Sequence, residues 1–453
     1  LSIEALDTAS NGTCQALLTG DQDILLALEC NDPANCGAAI THISGVQIDT
    51  NNLAANLKYT QVSLPFATAT SQAPFKLNYD EAGSVRLHAY YELLDDSNKE
   101  TGEVISATSN YFVVSPYGFC IAASSSESNW QCTSPGLGAN CSAYKIAGES
   151  FNFDVMAKRW DSTTSVDICH ADYPLTQNFS GVVAIAHQLV APAMGNVGTL
   201  ASSSVNLNSG QALTQAQSIS AMGVYTLSAG GNSYLASTLP TTSSQNIGRF
   251  YPKDFYIQST TAATYNDALG GFSYTGQLET SGDGAIYYAV QPSFNYLLRG
   301  INAQTLQNYL APFVTSPVVT ANASSSRVGS LGTVLGVMAG FSQGDVTGPD
   351  ASFQFTYTLS ASDHFVFNRD ANSFMAPFNN DVSINISAMT DALDGITLAN
   401  GPVAINGSGG EIRYGRLNIQ NAYGPETAAV SQGWQMQYYD GNAFILNLLD
   451  NLT

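Results

Sequence analysis

Two stretches of this 453-residue chain repeat one another at almost the same offset. Asn110, Pro116, Phe119 and Ile121 recur as Asn246, Pro252, Phe255 and Ile257, 136 residues further on. Upstream, Gly83, Leu87 and Ala89 recur as Gly223, Leu227 and Ala229, at an offset of 140. A glycine followed by an alternating run is the pattern of the late strands of an immunoglobulin-like module, and the Asn-to-Pro stretch then crosses into the next module. The string Tyr-Thr-Leu-Ser-Ala at 225–229 returns at 357–361, which hints at a third copy. Repeats of this length fit a string of sandwiches. The expected modules are 1–115, 116–248 and 249–453, the last larger, divisible near 325–350 and ending in a hairpin.

Apolar and polar residues alternate along 84–90, 151–155 and 353–359. Each run puts its apolar side chains on one face of a strand. Gly-, Ser- and Asn-rich turns separate such runs, which favours antiparallel pairing over a parallel α/β sheet. The predicted class is therefore all-β: tandem immunoglobulin-like antiparallel β-sandwich modules with few short helices. Spacing allows helices over 303–313 and 385–393. Residues 411–419 read as one strand. Trp434 to Tyr439, Asp440-Gly441 and Asn442 to Leu446 read as a hairpin, with Asp-Gly in a tight two-residue turn.

Charge narrows the function. Lys and Arg number 14 against 35 Asp and Glu, a net charge of −21. A chain so poor in bases cannot neutralise a phosphate backbone or settle on an anionic membrane. No apolar run is long enough to span a bilayer as a helix, and no signal-peptide pattern opens at Leu1, so the chain is expected to be exported with its signal elsewhere. All seven cysteines lie within the first 169 residues. Cys30 and Cys36 bracket a Pro-containing turn, and Cys132 and Cys141 bracket a Pro-Gly-Leu-Gly stretch; these two pairs are the disulfide candidates. The odd number leaves one thiol free or paired elsewhere, and an extracellular setting fits best.

Catalytic signatures are missing. There is no His-Glu-x-x-His pair and no Gly-x-Ser-x-Gly elbow. His88 and His187 sit in strand-like runs, Cys169-His170 reads as a disulfide cysteine beside a histidine, and Asp363-His364 is two residues of a triad at most. Carboxylate pairs suited to glycoside cleavage (Asp95 with Asp96, Asp391 with Asp394, Glu279 with Asp283) read as loop acids. Gly329 to Gly336 lacks the Lys-Ser/Thr that grips phosphate. Asp345, Asp350, Asn379 and Asn380 share the oxygen-rich loop character of calcium sites, and Asp381, Asp391 and Asp394 are the candidate ligands, although none forms the regular twelve-residue loop. No other cofactor is expected. Trp434, Tyr438 and Tyr439 are the candidates for stacking on sugar rings, with Tyr287 and Tyr288 behind them.

A succession of motifs then resembles one family. In order these are Asn110 with Phe112-Val113-Val114 and Pro116, Ala147-Gly148-Glu149-Ser150-Phe151, and Gly248-Arg249-Phe250 with Pro252 and Phe255. Phe272, Tyr274 and Gly276-Gln277 follow, then Arg413-Tyr414-Gly415-Arg416-Leu417 with Asn421-Ala422-Tyr423-Gly424, and Tyr438-Tyr439-Asp440-Gly441 with Phe444. The succession resembles the large C-terminal region of MshQ-like proteins, which are encoded with the mannose-sensitive haemagglutinin (MSHA) type IV pilus. The resemblance implies a non-enzymatic bacterial cell-surface protein acting in adhesion or pilus assembly. Its partners would be pilus or other surface proteins, with glycans as further candidates. A calcium-assisted glycan-binding lectin is the alternative, and a secreted polysaccharide hydrolase a third reading.

Overall fold

The computed structural model describes the whole chain except residues 11, 38, 52–53, 96–98, 135–140, 161–165, 267–270, 277–285, 327–340, 370 and 451–453. Asp96, Glu279, Asp283 and the Gly329–Gly336 segment therefore lie outside the described residues. The chain divides into two compact units, residues 1–145 with 149–249, and residues 146–148 with 250–453. Both are built mainly from antiparallel pairs, as the alternation predicts, with a few short parallel ones such as Phe272–Tyr274 beside Glu411–Arg413. Among the described residues the only helical turn is a 3₁₀ turn at Ala54–Asn56, and no helix is long and apolar enough to cross a membrane.

The first domain is organised around the strand Gly20–Asp32. It pairs with Gly83–Leu94 on one side and Thr60–Phe66 on the other, and Glu100–Thr108 forms the edge beyond Gly83–Leu94. Leu26, Leu28, Leu64 and Val85 turn inward and meet Ile43 and Ala73 from the smaller facing sheets. The outer face carries an unusual polar knot. Glu29 accepts from Arg86 Nε at 2.6 Å and Nη2 at 3.2 Å, and lies 2.7 Å from His88 Nε2. The Arg86 guanidinium holds the Glu29 carboxyl below its ordinary range; burial opposes this and His88 adds to it. His88 is buried, 3.0 Å from Thr108 Oγ1 through its other nitrogen.

In the second domain Gly118–Ala123, Phe151–Lys158 and Gln211–Gln217 make one sheet. Its partner orders Lys145–Ile146, Ile247–Tyr251, Gly223–Ala229, Gly181–Ala191 and Ser204–Leu207. Phe119, Phe151, Phe153, Phe179 and Leu227 fill the space between them. The sequence repeat is visible as geometry. Gly83 and Gly223 open equivalent strands at φ +154° and +138°. A Cβ on Gly83 would lie 2.5 Å from the Asp32 carbonyl, and one on Gly223 would lie 2.5 Å from the Ala191 carbonyl. Only glycine fits where two strands approach so closely.

The second unit carries an eight-stranded sheet in which Asp254–Thr261 and Ser293–Arg299 pair antiparallel. Phe255, Phe294, Tyr296, Phe355 and Tyr357 form its aromatic core. Both expected helices are absent. Residues 385–390 belong to the strand Ser383–Thr390, where Ile384 and Ile386 are buried at strand spacing and a bulge opposite Thr320 and Ala321 brings Met389 inward. Residues 303–313 run as irregular chain: Leu306, Tyr309 and Phe313 are buried, but the Leu306 N–H donates back to the Leu298 carbonyl rather than along a helix. The expected strand over 411–419 breaks at Tyr414. Glu411–Arg413 joins Phe272–Tyr274, while Gly415–Ile419 joins a terminal sheet with Trp434–Tyr439 and Phe444–Leu446. That sheet contains the expected hairpin, with its turn displaced by one residue. Asp440 pairs with Ala443, and its carboxylate takes the N–H groups of Asn442 and Ala443, leaving Gly441 at φ +112° in the bend.

Three disulfides are present, all in the first unit: Cys30–Cys36, Cys120–Cys169 and Cys132–Cys141, with Cα separations of 5.7, 4.8 and 4.4 Å. Cys14 is the free, exposed thiol.

Candidate functional site

The most chemically varied hollow of the first unit lies at the seam of its two domains. From the first domain, the strand Leu77–Tyr79 sets Asn78 directly opposite His42 on Thr41–Ile43, so both side chains leave the same face. The chain then turns through Asp80 and Glu81. The second domain supplies Tyr117, just past Pro116, whose N–H donates to the Lys158 carbonyl at 2.8 Å. It also supplies Arg159 and Trp160, which follow the strand Phe151–Lys158.

Polar contacts hold the seam. Arg159 Nη1 donates to the Asp80 carboxylate at 2.6 Å and to its carbonyl at 3.0 Å. The Glu81 carboxylate accepts the backbone N–H groups of Asn178 at 2.9 Å and Gln177 at 3.2 Å. Asn178 in turn donates its side-chain amide to the Cys36 carbonyl at 2.9 Å. Burial pushes the Glu81 carboxyl up, and the two N–H donors pull it back. Burial likewise pushes the Tyr79 hydroxyl up to about 12.

The cleft left open has a volume of about 550 Å³, within the ordinary range for a small-molecule site. Tyr117 is half exposed, one ring face stacked on Tyr173 with centroids 5.8 Å apart and planes 13° apart. Trp160 is 61% exposed. The side chains of His42 and Asn78, and Arg159 Nε and Nη2, make no hydrogen bond among the described residues. The cleft therefore offers two aromatic surfaces beside unspent donors and acceptors. A second hollow of about 650 Å³ runs past residues 121–123, 166–169 and 243–246. Trp130 also lines it but is buried, in T-shaped contact with Tyr144 and Phe151, so little of it is exposed.

The residues singled out from sequence fall elsewhere. Asp381 spends its carboxylate on Ser325 and Ser326. Asp391 is buried, taking the Thr315 hydroxyl and the Leu393 N–H on Oδ1, while Oδ2 has no hydrogen-bond partner. Asp394 is half-buried in the same turn. Among the described residues no group of three His, Cys, Asp or Glu side chains is placed to hold a metal ion. Tyr438 and Tyr439 point to opposite faces of the terminal sheet. The Arg413 guanidinium lies 4.4 Å from the Tyr438 ring, and Tyr439 packs on Phe374 and Phe444. Trp434 shares the Tyr438 face and stands half exposed beside Leu417 and Ile419. Of the histidines, His364 bonds the Ser362 carbonyl while the neighbouring Asp363 carboxylate takes the Ser342 N–H, so the pair is not aligned as a relay. Cys169 is bridged, which removes it as a nucleophile. The cleft residues Tyr117 and Trp160 escaped the sequence reading. Tyr117 carried one signal: in the repeat its counterpart is Lys253, so the tyrosine is not demanded by the fold.

Ig-like β-sandwiches, with three disulfides in the first unit, define a class of modular all-β proteins and are consistent with an extracellular setting. The chain belongs to the DUF6701 family. Residues 1–108 match its first Ig-like domain, 115–218 its second domain, 222–413 its third and 413–453 its fourth. No curated protein matches the chain significantly in sequence. Among solved structures, the D0-D1 domain of intimin aligns over 66% of this chain and 99% of its own, at 12% identity and a TM-score of 0.17. A TM-score that low supports neither a shared architecture nor a shared role.

Proposed function

We propose that this chain is the exposed region of a non-enzymatic bacterial surface protein that works with an MSHA-like type IV pilus in adhesion or pilus assembly. The observation that carries the adhesion reading is the seam cleft. It is an open, mixed aromatic and polar surface, held between two disulfide-stapled domains by Arg159–Asp80 and by Glu81. Binding sites of surface proteins sit on loops and domain ends steadied by a stiff scaffold, and this cleft has that construction. The pilus association is supported by the ordered motifs from Asn110 to Phe444 that resemble MshQ-like proteins.

Pili sheared from producing cells, pelleted and analysed by mass spectrometry provide the test. Co-sedimentation of this chain is expected if it rides on the filament. Retention in the envelope with none in the pellet turns the role towards assembly, and absence from both the surface and the pilus machinery defeats the proposal.

A further inference from the structure

We propose that the seam cleft binds an uncharged saccharide, with Trp160 and Tyr117 as stacking surfaces and His42, Asn78 and Arg159 as hydrogen-bonding groups; this rests on the adhesion reading and gives it a ligand class. A pyranose ring presents apolar C–H faces and a rim of hydroxyls that both donate and accept. The faces are matched by exposed aromatic rings, whose π-systems attract the slightly positive hydrogens. The rim is matched by mixed donors and acceptors rather than by a single charge. The cleft supplies both. Tyr117 is braced from behind by Tyr173, so its outer surface is pre-set and little entropy is lost on binding. Trp160 carries an indole face and an N–H donor, and is 61% exposed.

Other ligand chemistries fit less well. The guanidinium facing the cleft already holds the Asp80 carboxylate at 2.6 Å, and the chain carries a net charge of −21, so an anionic sugar meets no free positive centre. A peptide adding as a strand needs a long unpaired edge, whereas Leu77–Tyr79 at the cleft is three residues long. No metal enters this account, because the cleft's carboxylates among the described residues, Asp80 and Glu81, are engaged by Arg159 and by backbone N–H groups.

The test uses the full chain on an array of uncharged, sialylated and uronate-containing oligosaccharides, with unglycosylated carrier protein as a control, in calcium and again in EDTA. Hits are then titrated with the wild type, Trp160→Ala, Tyr117→Ala, Tyr117→Phe and Trp434→Ala. Expected is binding to uncharged glycans that is the same in both buffers and weakens about tenfold or more in Trp160→Ala and Tyr117→Ala. Tyr117→Phe, which keeps the ring, should retain most of it, and Trp434→Ala all of it. Trp160→Ala should unfold at the wild-type urea midpoint, which separates lost contact from lost fold. Absence of any hit, binding confined to charged glycans or to the bare carrier, or equal binding by Trp160→Ala would each overturn the proposal. Loss in Trp434→Ala alone would move the site to the terminal sheet and overturn it too. Pilus co-sedimentation is read separately, so either result can fail without the other.

Discussion

Gly223→Ala should cripple the second domain, while Gly181→Ala, at the start of the strand it pairs beside, should not. At Gly223 the backbone has φ +138°, and a Cβ would stand 2.5 Å from the Ala191 carbonyl and 2.7 Å from Leu189 Cδ1. The disfavoured dihedral costs about 1–3 kcal/mol. Relieving the carbonyl clash means moving one strand against its partner, and overpacking of that kind costs about 1–3 kcal/mol more. A loss of about 3 kcal/mol or more follows. At Gly181 nothing lies within 4 Å and φ is not positive, so alanine should be neutral or stabilise by up to about 1 kcal/mol. Trp130 reports on this domain, because it is buried against Tyr144 and Phe151, whereas Trp160 and Trp434 are largely exposed. With a urea slope of about 2 kcal/mol/M, the Trp130 transition should fall by about 1.5 M in Gly223→Ala and stay or rise in Gly181→Ala. Equal midpoints in the two variants would show that the strand approach at Gly223 is not the constraint described.

Three further outcomes are expected. The Glu29 carboxyl is held below its ordinary value of 4.5, chiefly by Arg86, so its contribution is complete above that pH and is lost as pH falls through the lowered value. The first domain should therefore lose stability below about pH 4.5, and Glu29→Gln should flatten that decline; parallel pH profiles would refute the assignment. A maleimide added to the native, non-reduced protein should modify one residue, Cys14, and a second labelled cysteine in the peptide map would mean a bridge is open. Glu81→Ala combined with Arg159→Ala removes the contacts to Gln177, Asn178 and Asp80, and should widen the scattering envelope of a fragment of residues 1–249 once that fragment is shown to fold. An unchanged envelope would place the rigidity of the seam elsewhere.

What the sequence revealed depended on the range of the physics involved. Alternation is local, so strands such as Gly83–Leu94 and Phe151–Lys158 were readable from their own residues. Short loops are local too, and the bridges Cys30–Cys36 and Cys132–Cys141 follow from the turns between them. Cys120–Cys169 spans 49 residues and has no such cue. The two false helices failed for opposite reasons. Around Ile386 a bulge mimicked helical spacing within a true strand, while around Tyr309 tertiary burial selected the same spacing in an irregular chain. Tyr438 and Tyr439 could not share a platform, since neighbours on a strand face opposite ways. The cleft was invisible because His42, Tyr117 and Trp160 meet only when two domains dock, and no local pattern records docking.

The distribution of cysteines has a mechanical consequence. A protein pulled from a surface lengthens by the chain its domains release, and a disulfide withholds the loop it closes. Cys120–Cys169 alone withholds 49 residues, about 170 Å of contour at the extension of a stretched chain. The last 284 residues hold no cysteine and can pay out in full. Under rising tension the cysteine-free C-terminal region would yield as a long tether, while the N-terminal region, where the cleft lies, keeps about a third of its length in reserve behind covalent stops.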